Sequence, residues 1–165
     1  MTRKLLATIF AICNLASGSI AAYAAEPPAP QPGIKLSPDL QDLLRAEMRE
    51  ISTGVQGIAV SLASADWQAI QETSTKIRTS YIMEKKLTPA QAKELEQALP
   101  ERFKQLDAEF HQRAERLGDA AAAHDAELVA FHYSRLVESC ALCHAAYATS
   151  RFPGFSPPAQ QGHRH

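Results

Sequence analysis

Cys140-Ala141-Leu142-Cys143-His144 places two thiols and an imidazole within five residues. Thiols are nucleophiles and soft metal ligands, and a neutral imidazole is the commonest protein ligand for transition metals. On a helix, positions i, i+3 and i+4 share a face, so the three side chains converge on one object. Cys-x-x-Cys-His is the attachment signature of c-type haem. The two sulfurs reach the vinyl positions of one porphyrin edge, and His144 turns its ring to the iron. Covalent links suit an exported chain, because a dissociable cofactor is lost by dilution outside the cell. Other uses of the two cysteines fit less well. A thioredoxin-like pair opens a helix just after a strand, whereas this pair lies some four turns into a helical pattern with no strand upstream. A zinc site needs a second ligand pair at matching spacing, and His132 alone is a poor substitute. A disulfide between positions three apart on one helix constrains little.

The rest of the chain supports export. Arg3 and Lys4 precede an apolar run from Leu5 to Leu15, and Ala22-Tyr23-Ala24 supplies the small-x-small pattern of a signal-peptidase site. The apolar run is too short for a stable membrane anchor. Residues 1–24 are therefore expected to be a cleaved signal peptide. That implies a periplasmic protein with no membrane attachment after cleavage. The mature chain, Ala25–His165, has 141 residues and carries 15 Lys and Arg against 18 Asp and Glu. Its cysteines are Cys140 and Cys143 and its methionines Met48 and Met83. A hydrophobic content of 45% and a charged content of 21% describe one ordinary globular domain. With no basic excess, a nucleic-acid partner is not expected. The negative balance, deepened by haem propionates, favours a basic redox partner protein.

The elements that must position the motif read as four amphipathic helices. Residues 25–36 form a Pro-rich leader, and 153–165 a disordered tail. Ser37-Pro38-Asp39 starts a helix, with Ser as N-cap, Pro at the first position and an acid in the first turn. Leu40, Leu44, Met48, Ile51, Val55, Ile58 and Leu62 then recur at steps of three and four, a helical stripe. Gly54 and Gly57 inside it suggest a close approach by another helix or a ligand. Ser64 or Asp66 caps a second helix, whose stripe is Trp67, Ile70, Ser74, Ile77 and Tyr81. Thr88-Pro89-Ala90-Gln91 is a capping box. Leu99-Pro100-Glu101 ends that short helix and starts a longer one carrying Phe103, Leu106, Phe110, Ala114 and Leu117. Asp125 caps the last helix, which runs through the Cys-His motif towards Arg151 and stops at Pro153-Gly154. No segment alternates with a period of two. Short connections make this an all-α, antiparallel four-helix bundle over 37–152.

A four-helix bundle with this motif in its last helix resembles the cytochrome c-prime family. The likeness covers roughly Ser37 to Phe152. Family members often carry an aromatic and then a basic residue after the haem His; here Tyr147 is followed by Ala148. The resemblance implies one covalent haem c (iron) per chain, held by Cys140 and Cys143 with His144 as axial ligand. It also implies that a first-helix residue, corresponding to Met48, faces the other side of the iron. In one branch a Met there makes the iron six-coordinate and low-spin, as in an electron carrier. In the other an apolar residue leaves it five-coordinate, open to nitric oxide or carbon monoxide. Arg45 resembles a family position that meets a haem propionate. Homodimerisation is common in this fold and stays open.

Met48 also has a reading of its own. It lies on the stripe between Leu44 and Ile51, about 16 Å into its helix, while His144 lies about 10 Å from the end of the last helix. Antiparallel helices would bring the two to similar heights. A buried Met equally serves as gap-filler, so both uses stand at this point. His132 is expected to be a satisfied or partly exposed histidine, His111 and His124 surface residues, and Trp67 and Tyr81 core. No acid/base pair marks a substrate pocket, so the expected function is electron transfer rather than catalysis, with gas binding as the alternative. Replacing Cys140 and Cys143 by Ala should abolish covalent haem. Acid–acetone extraction followed by a pyridine-haemochrome assay checks this, and haem that stays with the double variant would disprove c-type attachment.

Overall fold

The computed structural model describes residues 33–156. The expected signal peptide, most of the Pro-rich leader and the tail beyond Ser156 lie outside the described residues. Six helices follow in order: α1 (Pro38–Ala63), α2 (Trp67–Arg78), α3 (Met83–Lys86), α4 (Pro89–Ala98), α5 (Glu101–Ala122) and α6 (Ala126–Tyr147). A single 3-10 turn, Pro153–Phe155, comes after them, and there is no strand among the described residues. α1, α2, α5 and α6 form the antiparallel four-helix bundle. α1 packs on α2 and α6, and α5 packs on the same two partners from the opposite corner.

Local chemistry sets most boundaries. Asp66 accepts from the Ala69 amide at 3.1 Å and Asp125 from the Leu128 amide at 2.9 Å, so each caps its helix. Thr88 and Gln91 make the reciprocal capping box of α4. Pro100 separates α4 from α5, since it cannot continue the hydrogen-bond ladder. Two expected boundaries change. Ser37 precedes α1 without capping it: its backbone amide and hydroxyl both donate to the Glu94 carboxylate of α4, at 2.6 and 2.9 Å. α6 ends at Tyr147 instead of running to Arg151, so His144 sits in its last turn. The expected tail begins with the 3-10 turn, which places Phe155 beside His144.

α2 has 12 residues against 26 in α1 and 22 each in α5 and α6. At 1.5 Å per residue it is about 18 Å long beside a first helix of about 39 Å, so it walls only one half of the bundle. The main core lies in that half. Ile58, Ile70, Ile77, Leu117, Val129 and Leu136 are fully buried there, with Ala114, Ala120 and Ala121 between them. Gly118 lets α2 and α5 approach, because a Cβ there would lie 3.3 Å from the Ser74 Cβ. In the other half, residues 79–100 with α3 and α4 replace a helical wall and are tied on by polar contacts.

The main tie is Glu47. Its side chain is only 3% exposed. Its carboxylate accepts from the amides of Tyr81, Ile82 and Met83 at 2.8, 2.5 and 3.2 Å. These amides open the turn into α3 and have no helical acceptor of their own. Glu47 thus occupies the inward line of α1, where Leu40, Ile51 and Ile58 also point. The expected inward position of Met48 is corrected: it stands one step round the helix and is 43% exposed. A second buried ion, Arg113 of α5, joins α5 to α6. It donates to the Arg135 carbonyl, to Glu138 at 2.9 Å and to Glu109.

Glu47→Ala strands the Tyr81 and Ile82 amides, leaves the Met83 amide with the Ser80 hydroxyl alone, and should cost about 3 kcal/mol. Glu47→Gln keeps one carbonyl acceptor and should lose about half as much. Urea titrations of holo protein check the order; equal stability of all three proteins would contradict it.

Candidate haem site

α6 carries Cys140, Cys143, His144 and Tyr147 on one side of its last two turns, following the spacing the sequence implies. Neither cysteine is in a disulfide. The Cys140 Sγ lies 3.8 Å from the Leu136 carbonyl, one turn back. Burial raises the pKa of Cys140. Cys143 rises to about 11, first from burial, then from the charge of Asp107 across the α5 seam and of Cys140. Both thiols are therefore protonated at neutral pH. For His144 burial lowers the pKa, helped by the Arg151 cation. Its imidazole is held neutral, which is the ligating form.

Two aromatic residues beyond the motif complete the surroundings of His144. Phe152 stacks on its ring at 4.2 Å with an interplanar angle of 18°, and Phe155 lies at 6.4 Å. The sequence reading assigned neither a role. The pattern Arg151-Phe152-Pro153-Gly154-Phe155, two rings around a chain reversal just after the motif, was the available signal.

Met48 lies on the flank of α1 that turns towards α6. The other flank is marked by Gly54, where a Cβ would run into the Tyr81 hydroxyl and lie 3.0 Å from Thr73 of α2. Met48 is about 120° away from Gly54 round the helix at 100° per residue. Contacts between neighbouring helices also carry the register round the bundle. Gly54 lies beside Thr73, His111 Nδ1 meets the Ile77 carbonyl at 2.8 Å, and Arg113 reaches the Arg135 carbonyl. Stepping through these antiparallel pairs brings Met48 level with about Ser139 to Ala141, within about one to one and a half turns of His144. Shortening α6 therefore leaves the two heights comparable. Arg45, one turn earlier, is 57% exposed at its side chain and donates to Asp42 at 2.9 Å and Gln41 at 3.1 Å. It lies on the surface near the site without entering it.

Several features fit a large planar apolar group between α1 and α6. The α1–α6 seam is the sparsest of the four seams between long helices. Apolar side chains on its margins stay open: Met48, Val137 at 41% and Phe155 at 42% exposed. The Tyr147 hydroxyl is buried without a hydrogen-bond partner. Cys140 and Cys143 would hold such a group covalently and His144 would ligate its iron.

The remaining candidates settle elsewhere. Gly57 faces open space, so of the two glycines in α1 it is Gly54 that marks a close approach. His132 is partly exposed, its ring edge-on to Phe131. His124 is exposed and stacks on Trp67 at 5.7 Å. His111 departs from its expected surface setting: it is half-buried between the Ile77 carbonyl and Asp107. Trp67 and Tyr81 pack partly against the core, Tyr81 from just beyond the end of α2. No group of three or more His, Cys, Asp or Glu among the described residues could hold a bare metal ion.

The model of the family described as Cytochrome C' matches residues 39–148, two thirds of the chain. No curated protein and no solved structure matches.

Thiols with raised pKa values react slowly. At pH 8 the thiolate fraction of Cys143 is about one in a thousand, against roughly a quarter for an ordinary thiol. Iodoacetamide should therefore label haem-free, reduced, folded protein at least tenfold more slowly than the same chain in denaturant. The Cys143 rate should rise about tenfold per pH unit until near 11. Equal rates in folded and unfolded protein would contradict the burial of these thiols.

Proposed function

The chain belongs to the cytochrome c′ family, and on that premise we propose that it is an exported electron carrier with one haem c bound through Cys140 and Cys143. The family binds covalently attached haem c with iron, and a haem iron supplies one-electron redox chemistry when bound. The other parts of the reading rest on this chain's own residues. His144 is the proximal ligand, kept neutral by burial and held in orientation by Phe152. Met48 is the second ligand, at the matching height on the flank of α1 that faces α6. A thioether opposite an imidazole favours Fe(II) and raises the reduction potential. Phe152, stacked on the His144 ring, shields that ligand from water. Arg45 turns from its present partners to a haem propionate at the rim. The observation that carries the proposal is the placement of Cys140, Cys143 and His144 on one side of the last two turns of α6.

We read residues 1–24 as the cleaved signal and the protein as periplasmic. No helix among the described residues is long and apolar enough to cross a membrane. Its partners on this reading are basic redox proteins and, for a dimer, a second copy of itself. Nothing in the proposed chemistry requires an enzyme's acid/base pair. The exposure of Met48 favours a second reading, in which the thioether stays at the rim. The iron is then five-coordinate and binds nitric oxide or carbon monoxide.

Replacing Met48 separates the two readings. With a Met ligand, Met48→Ala and Met48→Leu both turn a low-spin ferric spectrum high-spin, lower the reduction potential, and let carbon monoxide bind the ferrous form quickly. Leu nearly conserves the volume of Met, and such swaps usually cost under about 1.5 kcal/mol, so the Leu variant isolates ligation from packing. Met83→Leu should leave the spectrum unchanged. A wild type that is already high-spin would favour the gas-binding reading.

A further inference from the structure

Two buried polar side-chain atoms among the described residues have no hydrogen-bond partner: the hydroxyls of Ser74 and Tyr147. They differ in what can relieve them. A serine on a helix has the carbonyl four residues back within reach of its own hydroxyl. A tyrosine hydroxyl stands at the end of a rigid ring, far from its own backbone, and needs a partner from elsewhere. Leaving it unpaired costs the full desolvation of the group. Tyr147 lies one turn beyond Cys143 and His144 on the same side of α6, in the half of the bundle that the main core does not fill. Its ring packs edge-on against Phe103 of α5 at 5.3 Å.

We propose that the Tyr147 hydroxyl donates a hydrogen bond to a carboxylate of the bound haem. Of the groups a haem brings, its peripheral carboxylates are the ones that accept from a phenol; the other group nearby is the protein's own His144, whose free ring N–H can only donate. The histidine is the weaker match. The His144 ring is stacked on Phe152, whereas the Tyr147 ring is turned to α5. A buried phenol needs an acceptor, and no side chain around the Tyr147 hydroxyl supplies one. A charged acceptor also makes this the stronger kind of hydrogen bond.

The inference rests on haem attachment at Cys140 and Cys143; if wild-type protein carries no covalent haem, that reading fails first. The test is Tyr147→Phe, measured with and without haem, with Tyr133→Phe as a control on the same helix. In haem-free protein the variant removes an unpaired hydroxyl, so its melting midpoint should be unchanged or higher. In holo protein it removes a bond to a charged acceptor, and the midpoint should fall by about 5 °C. The reduction potential should fall too, because the less shielded carboxylate favours Fe(III). Should haem-free protein melt without a cooperative transition, the holo midpoint and the potential decide. A holo midpoint and potential unchanged from wild type, or equal losses with and without haem, would overturn the inference and assign the hydroxyl to a water or to the protein.

Discussion

A short second helix governs the architecture. Because α2 stops at Arg78, about 18 Å along a bundle twice that long, one half has four helical walls and the other only three. The four-walled half can bury branched aliphatics from every side, and Ile58, Ile70, Ile77, Leu117 and Leu136 do so. The other half has no such closure. Its fourth side is a chain that turns at Ser80, makes one turn of α3 and returns through α4. Irregular backbone exposes amides that must be satisfied if they are to pack inward. Glu47 meets that requirement for Tyr81, Ile82 and Met83, and Glu94 meets it for Ser37.

This division explains how one short chain combines a stable scaffold with a receptive site. Cofactor chemistry needs a cleft that protein side chains do not fill, yet one held in fixed geometry. The packed half fixes the relative heights of α1, α5 and α6. The open half offers the α1–α6 seam, with Cys140, Cys143 and His144 along one wall and Met48 on the flank of the other. On the proposed reading, covalent bonds at the two sulfurs would localise the group to α6, and the opposite wall would need only to present a side chain at the matching height. Binding a group that only the folded chain can enclose adds stability in turn.

The electrostatics follow from the same arrangement. The thiols are buried deeply enough to stay protonated, and His144 is buried enough to stay neutral. Burial is the largest cause of each shift, with Asp107 adding to it for Cys143 and Arg151 for His144.

The sequence by itself determined whatever depends on neighbours along one chain. The spacing in Cys140-Ala141-Leu142-Cys143-His144 dictates a shared helix face, Asp66 and Asp125 cap their helices, Thr88 with Gln91 forms its box, and Pro100 divides α4 from α5. Each is a local geometric rule, and helical periodicity extended them to a four-helix bundle. Tertiary structure decided what depends on partners far along the chain. Periodicity gave Met48 the inward line of α1, but an apolar stripe about 100° wide covers more than one residue per turn. Glu47 takes that line because three amides 34 to 36 residues later point at it. A carboxylate is seldom buried without partners, and only those donors make the burial of Glu47 tolerable. Arg113, His111 and Phe152 have the same history: carbonyls or rings from other elements set their environment. A sequence states the angle of each side chain about its own helix. What stands at that angle is settled only when the helices meet.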